Sequence, residues 1–362
     1  MAEPQGPLVG LKVLEFVGIG PGPHVAMLLA DLGAEVVRIE RPGGQAMNPI
    51  VERARHRIEI DLKHDDGRAF CIDAARHADV LIEGFRPGVM ERLGLGPETL
   101  HTANPRLIYA RMTGWGQDGP LAKAAGHDIN YIAITGALDA IGTAGEVPVP
   151  PQNLVGDFGG GSLYCAFGIM AALYERDRSG RGQVVDAAIV DGVTSLMSFF
   201  NGLPRSAIRT TERGRGLLGG ASHFYRCYTC ADGKEISVGA IEPQFYAELL
   251  AKSDAPASLA DGQMNSENWE DYTRRLAELF ATRTSAEWCD ILEGTDACFA
   301  PVVPLDEAHL HPHLQARGAY VEHDGRWHNA PAPRFDRTPG AVRTSMNDGA
   351  DVVANWIKKA QD

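Results

Sequence analysis

Apolar side chains come in short blocks along the first half of the chain, each bounded by glycine, proline or charge. Residues 11–17 (LKVLEFV) read as a strand, the Gly/Pro stretch 18–23 as a turn, and 24–32 as an apolar helix stopped by Gly33. Residues 36–40 supply a second strand, so the chain opens on a βαβ unit. The pattern repeats, with 67–77 helical, 79–83 a strand, 89–93 a short helix and 107–111 another strand. Such alternation predicts an α/β fold with a parallel, Rossmann-like sheet. Residues 182–188 continue it as a strand and 190–200 as an apolar helix.

The pattern then changes. Residues 201–222 are rich in glycine and arginine with little apolar periodicity, which marks a linker. Beyond it, strand signals at 224–229 and 234–239 precede helices at 243–252, 268–282 and 285–293. The expected organisation is a large α/β domain over 1–200, a smaller α+β domain over 223–318, and a segment 319–362 that returns to the large domain. Within that segment 320–340 reads as a Pro- and His-rich loop and 352–359 as a helix.

Composition narrows the function. The chain has 362 residues, 44% hydrophobic and 22% charged, and a formal net charge of -13. That balance excludes a general nucleic-acid or anionic-membrane binder, which needs a basic face. Any anionic ligand must find a local basic patch, and Arg38, Arg41, Arg53, Arg55, His56, Arg57 and Lys63 make the most basic region. Residues 1–5 lack the basic and apolar regions of a signal peptide. The longest apolar run, 163–174, is too short to span a bilayer and reads as a buried helix. A cytoplasmic location is the expectation.

Six scattered cysteines are expected to be free thiols. Cys227 and Cys230 have a redox or zinc spacing, but no second pair accompanies them, and residues 224–230 read as a strand running into the turn 231–233. His309, His311 and His313 lack partners at a known ligand spacing, and Pro312 interrupts them, so no metal is implied. The loop Gly18-Ile19-Gly20-Pro21-Gly22-Pro23 follows a strand as a dinucleotide fingerprint does, with Glu40 at the ribose position. Its two prolines remove amides that a pyrophosphate needs, which favours a structural use or another ligand.

Three acid-base side chains stand beside predicted helix starts: His127 opening a helix over 127–137, Asp157 before a glycine run, and Glu242 before Pro243. Taken singly, Asp128 and Asp157 fit helix N-caps, Glu242 a first-turn acid, and His127 a structural histidine. Together they suit moving a proton on and off a carbon next to a carbonyl.

The segments Gly20-Pro21-Gly22-Pro23, Asp79-Val80-Leu81-Ile82-Glu83-Gly84-Phe85-Arg86-Pro87-Gly88, Thr113-Gly114-Trp115-Gly116-Gln117, Gly126-His127-Asp128-Ile129-Asn130-Tyr131, Gly156-Asp157 and Cys298-Phe299-Ala300-Pro301-Val302 occur in a family order. In these the chain resembles the family III CoA transferases, and among them the α-methylacyl-CoA racemases. The resemblance implies the family III fold in an interlocked homodimer. It also implies an acyl-CoA thioester as substrate, with no separate cofactor because CoA is part of that substrate. The implied reaction interconverts (2R)- and (2S)-2-methylacyl-CoA by 1,1-proton transfer through an enolate. His127 and Asp157 would serve opposite faces of the acyl carbon, with Glu242 orienting His127. Arg41, Ile60, Leu62, Lys63, Arg86 and Arg92 would surround the nucleotide, and Gly126, Asp128 and Tyr131 the thioester, the Asp128 N–H facing the enolate oxygen. Phe85 stands where some relatives have tyrosine. Met197, Phe199 and Phe200 could contact the acyl chain, although core packing is the commoner role for such residues. The alternatives are a CoA transferase using Asp157 as a covalent nucleophile and, third, a non-catalytic CoA-binding relative or an oxidoreductase built on the same opening βαβ unit; the transferase is the nearer of them. That chemistry does not need a second base, so the presence of His127 and Glu242 favours the racemase.

Overall fold

A computed structural model describes residues 5–44, 47–204, 210 and 212–361. Residues 1–4, part of the expected linker (205–209 and 211), and residue 362 lie outside it, as do 45 and 46. In chain order come β1 (Lys12–Phe16), α1 (Pro21–Asp31), β2 (Glu35–Glu40), β3 (Arg55–Glu59), α2 (Asp65–His77) and β4 (Val80–Glu83). The short α3 (Val89–Arg92) and α4 (Pro97–Ala103) precede β5 (Ile108–Thr113), α5 (Asp128–Ile134) and α6 (Ala137–Ala140). A π-helix, Leu154–Ser162, runs directly into α7 (Leu163–Ser179), followed by β6 (Val184–Ala188), α8 (Ile189–Leu196) and α9 (Ser198–Gly202). The later elements are β7 (Tyr225–Thr229), β8 (Glu235–Gly239), α10 (Pro243–Lys252), α11 (Trp269–Phe280), α12 (Ser285–Leu292) and β9 (Phe299–Pro301). The chain ends with α13 (Pro312–Ala316), β10 (Tyr320–His323), β11 (Arg326–Asn329) and α14 (Gly349–Lys359).

These elements fall into two compact units, one of Met1–Thr135, Gln152–Leu196 and Pro312–Asp362, the other of Gly136–Pro151 and Met197–His311. The first holds a six-stranded sheet in the order β3-β2-β1-β4-β5-β6, with every pairing parallel. The order reverses between β1 and β4, and in open α/β sheets ligands bind beyond the carboxyl ends of the strands flanking such a reversal. Val13, Leu14, Val36, Val37, Val80, Leu81 and Ile108 are fully buried, as strands covered on both faces require.

Strand β3 was not expected, because its sequence RHRIE carries no apolar alternation. Burial there is ionic. Arg55 donates to Glu15 at 2.8 Å, Arg38 lies 3.2 Å from Glu15 and 2.9 Å from Glu40, and Arg53 makes a two-pronged pair with Asp31. Arg38, Arg53 and Arg55 are therefore neither a phosphate-binding patch nor solvated surface arginines. Their charges are consumed in the interior, where an unpaired partner would cost several kcal/mol.

The stretch expected as a loop over 320–340 contains the antiparallel hairpin β10-β11, tied down where Arg53 donates to the Asn329 carbonyl at 3.0 Å. The run read as a buried helix over 163–174 is part of a longer helical run, Leu154–Ser179, of 26 residues and mean hydropathy 1.2. By length and composition alone it could cross a membrane. In this fold it packs on β5, β6, α1 and α8, leaving a stripe of Leu163, Phe167, Met170 and Tyr174 exposed.

The second unit pairs a three-stranded antiparallel sheet, β7-β8-β9, with α10, α11 and α12. Its core is aromatic, with Phe280 packed against Tyr228 and Trp288 at ring separations of 5.0 and 5.1 Å. The expected apolar helix over 190–200 breaks between α8 and α9, and neither Met197, Phe199 nor Phe200 is buried in a core. All six cysteines are free thiols, with Cys227 and Cys298 exposed.

Candidate active site

The loops leaving β1, β4 and β5 converge beyond the carboxyl end of the sheet. They line a cavity of about 410 Å³ with Ile19 and Gly20 from the first, Phe85 and Arg86 from the second, and Gly114 and Trp115 from the third. His127, Tyr131 and Asp157 complete the wall.

His127 is the N-cap of α5, with extended backbone at φ -131° and ψ 175°. Asn130 closes that cap from both sides: its side-chain oxygen accepts the His127 amide at 3.0 Å, and its own amide donates to the His127 carbonyl at 2.8 Å. The backbone is thereby fixed while the imidazole is left exposed at the cavity. The amide of Asp128 opens the helix and has no intrahelical acceptor. Helix α5 stops at Ile134, before the expected 137, because Gly136 takes a left-handed φ of 82°.

Asp157 was expected at a helix start and instead lies inside the π-helix. There Phe158 donates to Asn153, and Leu163 to Phe158, each across five residues. The Asp157 amide donates to Asp128 Oδ2 at 2.6 Å. Its carboxylate lies against Gly20, where a β-carbon would come within 3.0 Å of Oδ2, and Gly20 holds φ 70°. Burial first, then the Asp128 charge, pushes the Asp157 carboxyl above its ordinary range, while the Asn153 side chain and His127 pull it down. Burial likewise raises the Tyr131 phenol, whose hydroxyl donates to the Gly126 carbonyl.

Beneath the π-helix His24 is stacked on Phe158 at 4.3 Å, and its Nδ1 sits 2.6 Å from Ser162 Oγ. The Ser162 hydroxyl also lies within hydrogen-bonding distance of the Phe158 carbonyl, at 3.1 Å. Burial and the neighbouring Arg53 and Arg55 hold His24 neutral, its pKa down at about 4.

The remaining expected site residues form two groups. Arg86, Gly126 and Tyr131 line the cavity with His127 and Asp157, and Asp128 borders it through the Asp157 amide. Arg41 follows β2 and Lys63 follows β3; both are exposed, with Ile60 buried and Leu62 half-buried between them. Arg92 is exposed on α3. Glu242 belongs to the second unit, where it is the exposed N-cap of α10 ahead of Pro243. Its charge adds to burial in raising the nearby Cys298 thiol.

Sequence reasoning assigned no role to Trp115. Its indole packs edge-on to Tyr131 at 4.7 Å, and its Nε1 is buried with no partner among the described residues while the residue lines the cavity. The only available signal was its place in the motif 113–117. Among the described residues no cluster of three or more His, Cys, Asp or Glu is placed to hold a metal.

Comparison with known proteins places these features in a lineage. Residues 8–346 match the model of CoA-transferase family III. An α-methylacyl-CoA racemase of Mus musculus is 46% identical over 94% of this chain and 89% of its own length. The Homo sapiens protein of the same name is 44% identical over 92% and 87%. The crystal structure of a CaiB/BaiF family protein from Brucella suis superposes with a TM-score of 0.81 at 25% identity, covering 97% of this chain and all of that one (100%). With a family match spanning nearly its whole length and a fold shared end to end, the chain belongs to CoA-transferase family III.

Proposed function

We propose that this chain is an α-methylacyl-CoA racemase, an isomerase that interconverts the (2R) and (2S) forms of 2-methylacyl-CoA thioesters. The observation that carries the reading is one cavity walled by both His127 and Asp157 in a chain 46% identical to a racemase over nearly all its length. Inverting a stereocentre by proton transfer needs two groups, one to take the proton and one to return it from the other side. An α-proton of pKa roughly 20 facing a base near 7 leaves an ionisation cost of roughly 18 kcal/mol, at about 1.36 kcal/mol per unit.

A base alone does not meet that cost, so the enolate oxygen needs fixed donors. The Asp128 amide, which opens α5 without an intrahelical acceptor, is the donor assigned in this proposal. His127 serves one face and Asp157 the other, and Asp157 suits the acid half of the cycle because its environment favours the protonated carboxyl. The proposal gives Glu242 the task of orienting and tuning His127. At the CoA end, exposed Arg41, Lys63, Arg86 and Arg92 supply cations along the sheet edge from β3 to β4. That is roughly 14 Å across three strand spacings. The substrate brings its own CoA, and the reaction as written calls for no other cofactor.

The test is incubation with one epimer of a 2-methylacyl-CoA in deuterated water without an acceptor acid. Deuterium entering at the α-carbon with conversion toward an epimer mixture supports the reading. No exchange, with CoA passing to an added carboxylate, would make Asp157 a nucleophile and sink it.

A homodimer is the second part of the proposal. The stripe of Leu163, Phe167, Met170 and Tyr174 on α7 is 53, 73, 40 and 69% exposed, and such contiguous apolar surface marks an interface. Phe167→Glu is expected to convert a dimer to monomer in light scattering. A wild-type chain already monomeric at micromolar concentration would refute this.

A further inference from the structure

Asp128 follows His127 at the start of α5 and is only 8% exposed. Its Oδ2 accepts the Asp157 amide at 2.6 Å, and the Gly156 amide also donates to the carboxylate. A β-carbon on Gly156 would fall 2.3 Å from that oxygen, so the carboxylate rests on bare backbone. The other oxygen, Oδ1, is buried with no hydrogen-bond partner among the described residues. Asp128 is not needed to cap its own helix, since Asn130 and the His127 backbone do that. Two amides could equally be held by a neutral acceptor. A buried charge with one bare oxygen is a costly choice for a purely structural clamp, and it calls for another role.

We propose, building on the racemase reading, that Asp128 is a positioning residue for Asp157: its carboxylate clamps the Gly156 and Asp157 amides and keeps a second negative charge behind the Asp157 carboxyl. Two carboxyls sharing one wall resist joint ionisation, so a single proton is retained by the pair. Burial raises the Asp128 carboxyl as well, and the Asp157 and Gly156 amides pull it back toward the charged form; on this proposal the shared proton sits on Asp157. His127 and Tyr131 from α5, Arg86 from the loop after β4 and Asn153 at the head of the π-helix are the other polar or charged groups facing the pair. His127 and Asn153 oppose the effect of Asp128 on Asp157, whose carboxyl is raised by burial first and by the Asp128 charge second.

The experiment is a ¹³C-carboxyl NMR titration of Asp157 in the wild type, D128N and D128A, with the pH dependence of α-deuterium exchange measured in parallel. D128N keeps an acceptor for the amides and removes the charge. The Asp157 midpoint is expected to fall by about one pH unit. Exchange in the direction that needs protonated Asp157 should then drop about tenfold above that midpoint, with KM little changed. D128E should restore part of the rate. D128A loses the clamp as well, so exchange falls further and the melting temperature drops. Asp128→Ser serves in place of D128N if the latter does not fold. An Asp157 midpoint that stays put when the charge is removed overturns the proposal. The NMR midpoint needs no turnover, so absent exchange in the wild type would sink the racemase reading and still leave this inference to be decided.

Discussion

Asp157→Asn is expected to cut α-proton exchange by about 10²- to 10⁴-fold, the range for removing a positioned acid or base. His127→Ala should match it from the other face. The more discriminating expectation is that D157N gains thermal stability while losing activity. A carboxyl whose folded pKa is raised carries a penalty for its charged form, because the native state binds the proton more tightly than the unfolded chain does. That penalty is absent below the unfolded value near pH ~3.9 and grows as pH rises through the folded value. It is present in full above the folded value. Asparagine cannot ionise, so the gain appears in melts at pH 7 and vanishes by pH 4. A D157N protein that melts below wild type at pH 7 would refute this account of the site's electrostatics.

The second large effect comes from Gly192→Ala. Gly192 on α8 is packed so closely to the π-helix that a β-carbon there would lie 1.8 Å from the Gly160 carbonyl oxygen and 2.9 Å from its Cα. The approach is reciprocal, since a β-carbon on Gly160 would lie 2.8 Å from the Val193 amide. Backbone against backbone cannot yield as a flexible side chain does, so the helices must separate. Overpacking of this kind costs about 3 kcal/mol or more. Asp157 lies three residues before Gly160 and should shift with it, so the variant is expected to lose several degrees of melting temperature and most of its exchange rate together. A Gly192→Ala protein with wild-type melting and turnover would show that the two helices are not held at this distance in solution.

The parallel sheet was legible because β1, β2, β4 and β5 are nearly continuous apolar blocks cut by glycine and charge. Strand β3 was not, because RHRIE buries its arginine through partners on β1 and α1, and those pairings lie in tertiary space. The same blindness left Arg38, Arg53 and Arg55 inside the basic region offered to an anionic ligand, with Arg53 and Arg55 equally readable as solvated surface arginines, since a count of charges does not record who neutralises them. The run 163–174 is apolar on every side, so periodicity could not say which face stays outside. At the site, the place of His127 at a helix start was legible, whereas Asp157, read in the same way, lies inside a π-helix. The π-helix around Asp157 was not, because a segment with four glycines in nine residues (LVGDFGGGS) has no side-chain pattern that separates one helical pitch from another.

That pitch has an evolutionary corollary. A π-helical turn is an α-helical turn with one residue inserted, and excising that residue lets the segment wind as ordinary α-helix. Helix α7 could then keep its seat on β5 and β6 while Asp157 rotated away from Gly20 and the cavity. On the proposed roles, a single lost codon between Phe158 and Leu163 would thus turn a working site into a folded protein without chemistry. The same step run backwards is a short route by which a binding protein of this architecture could acquire its acid.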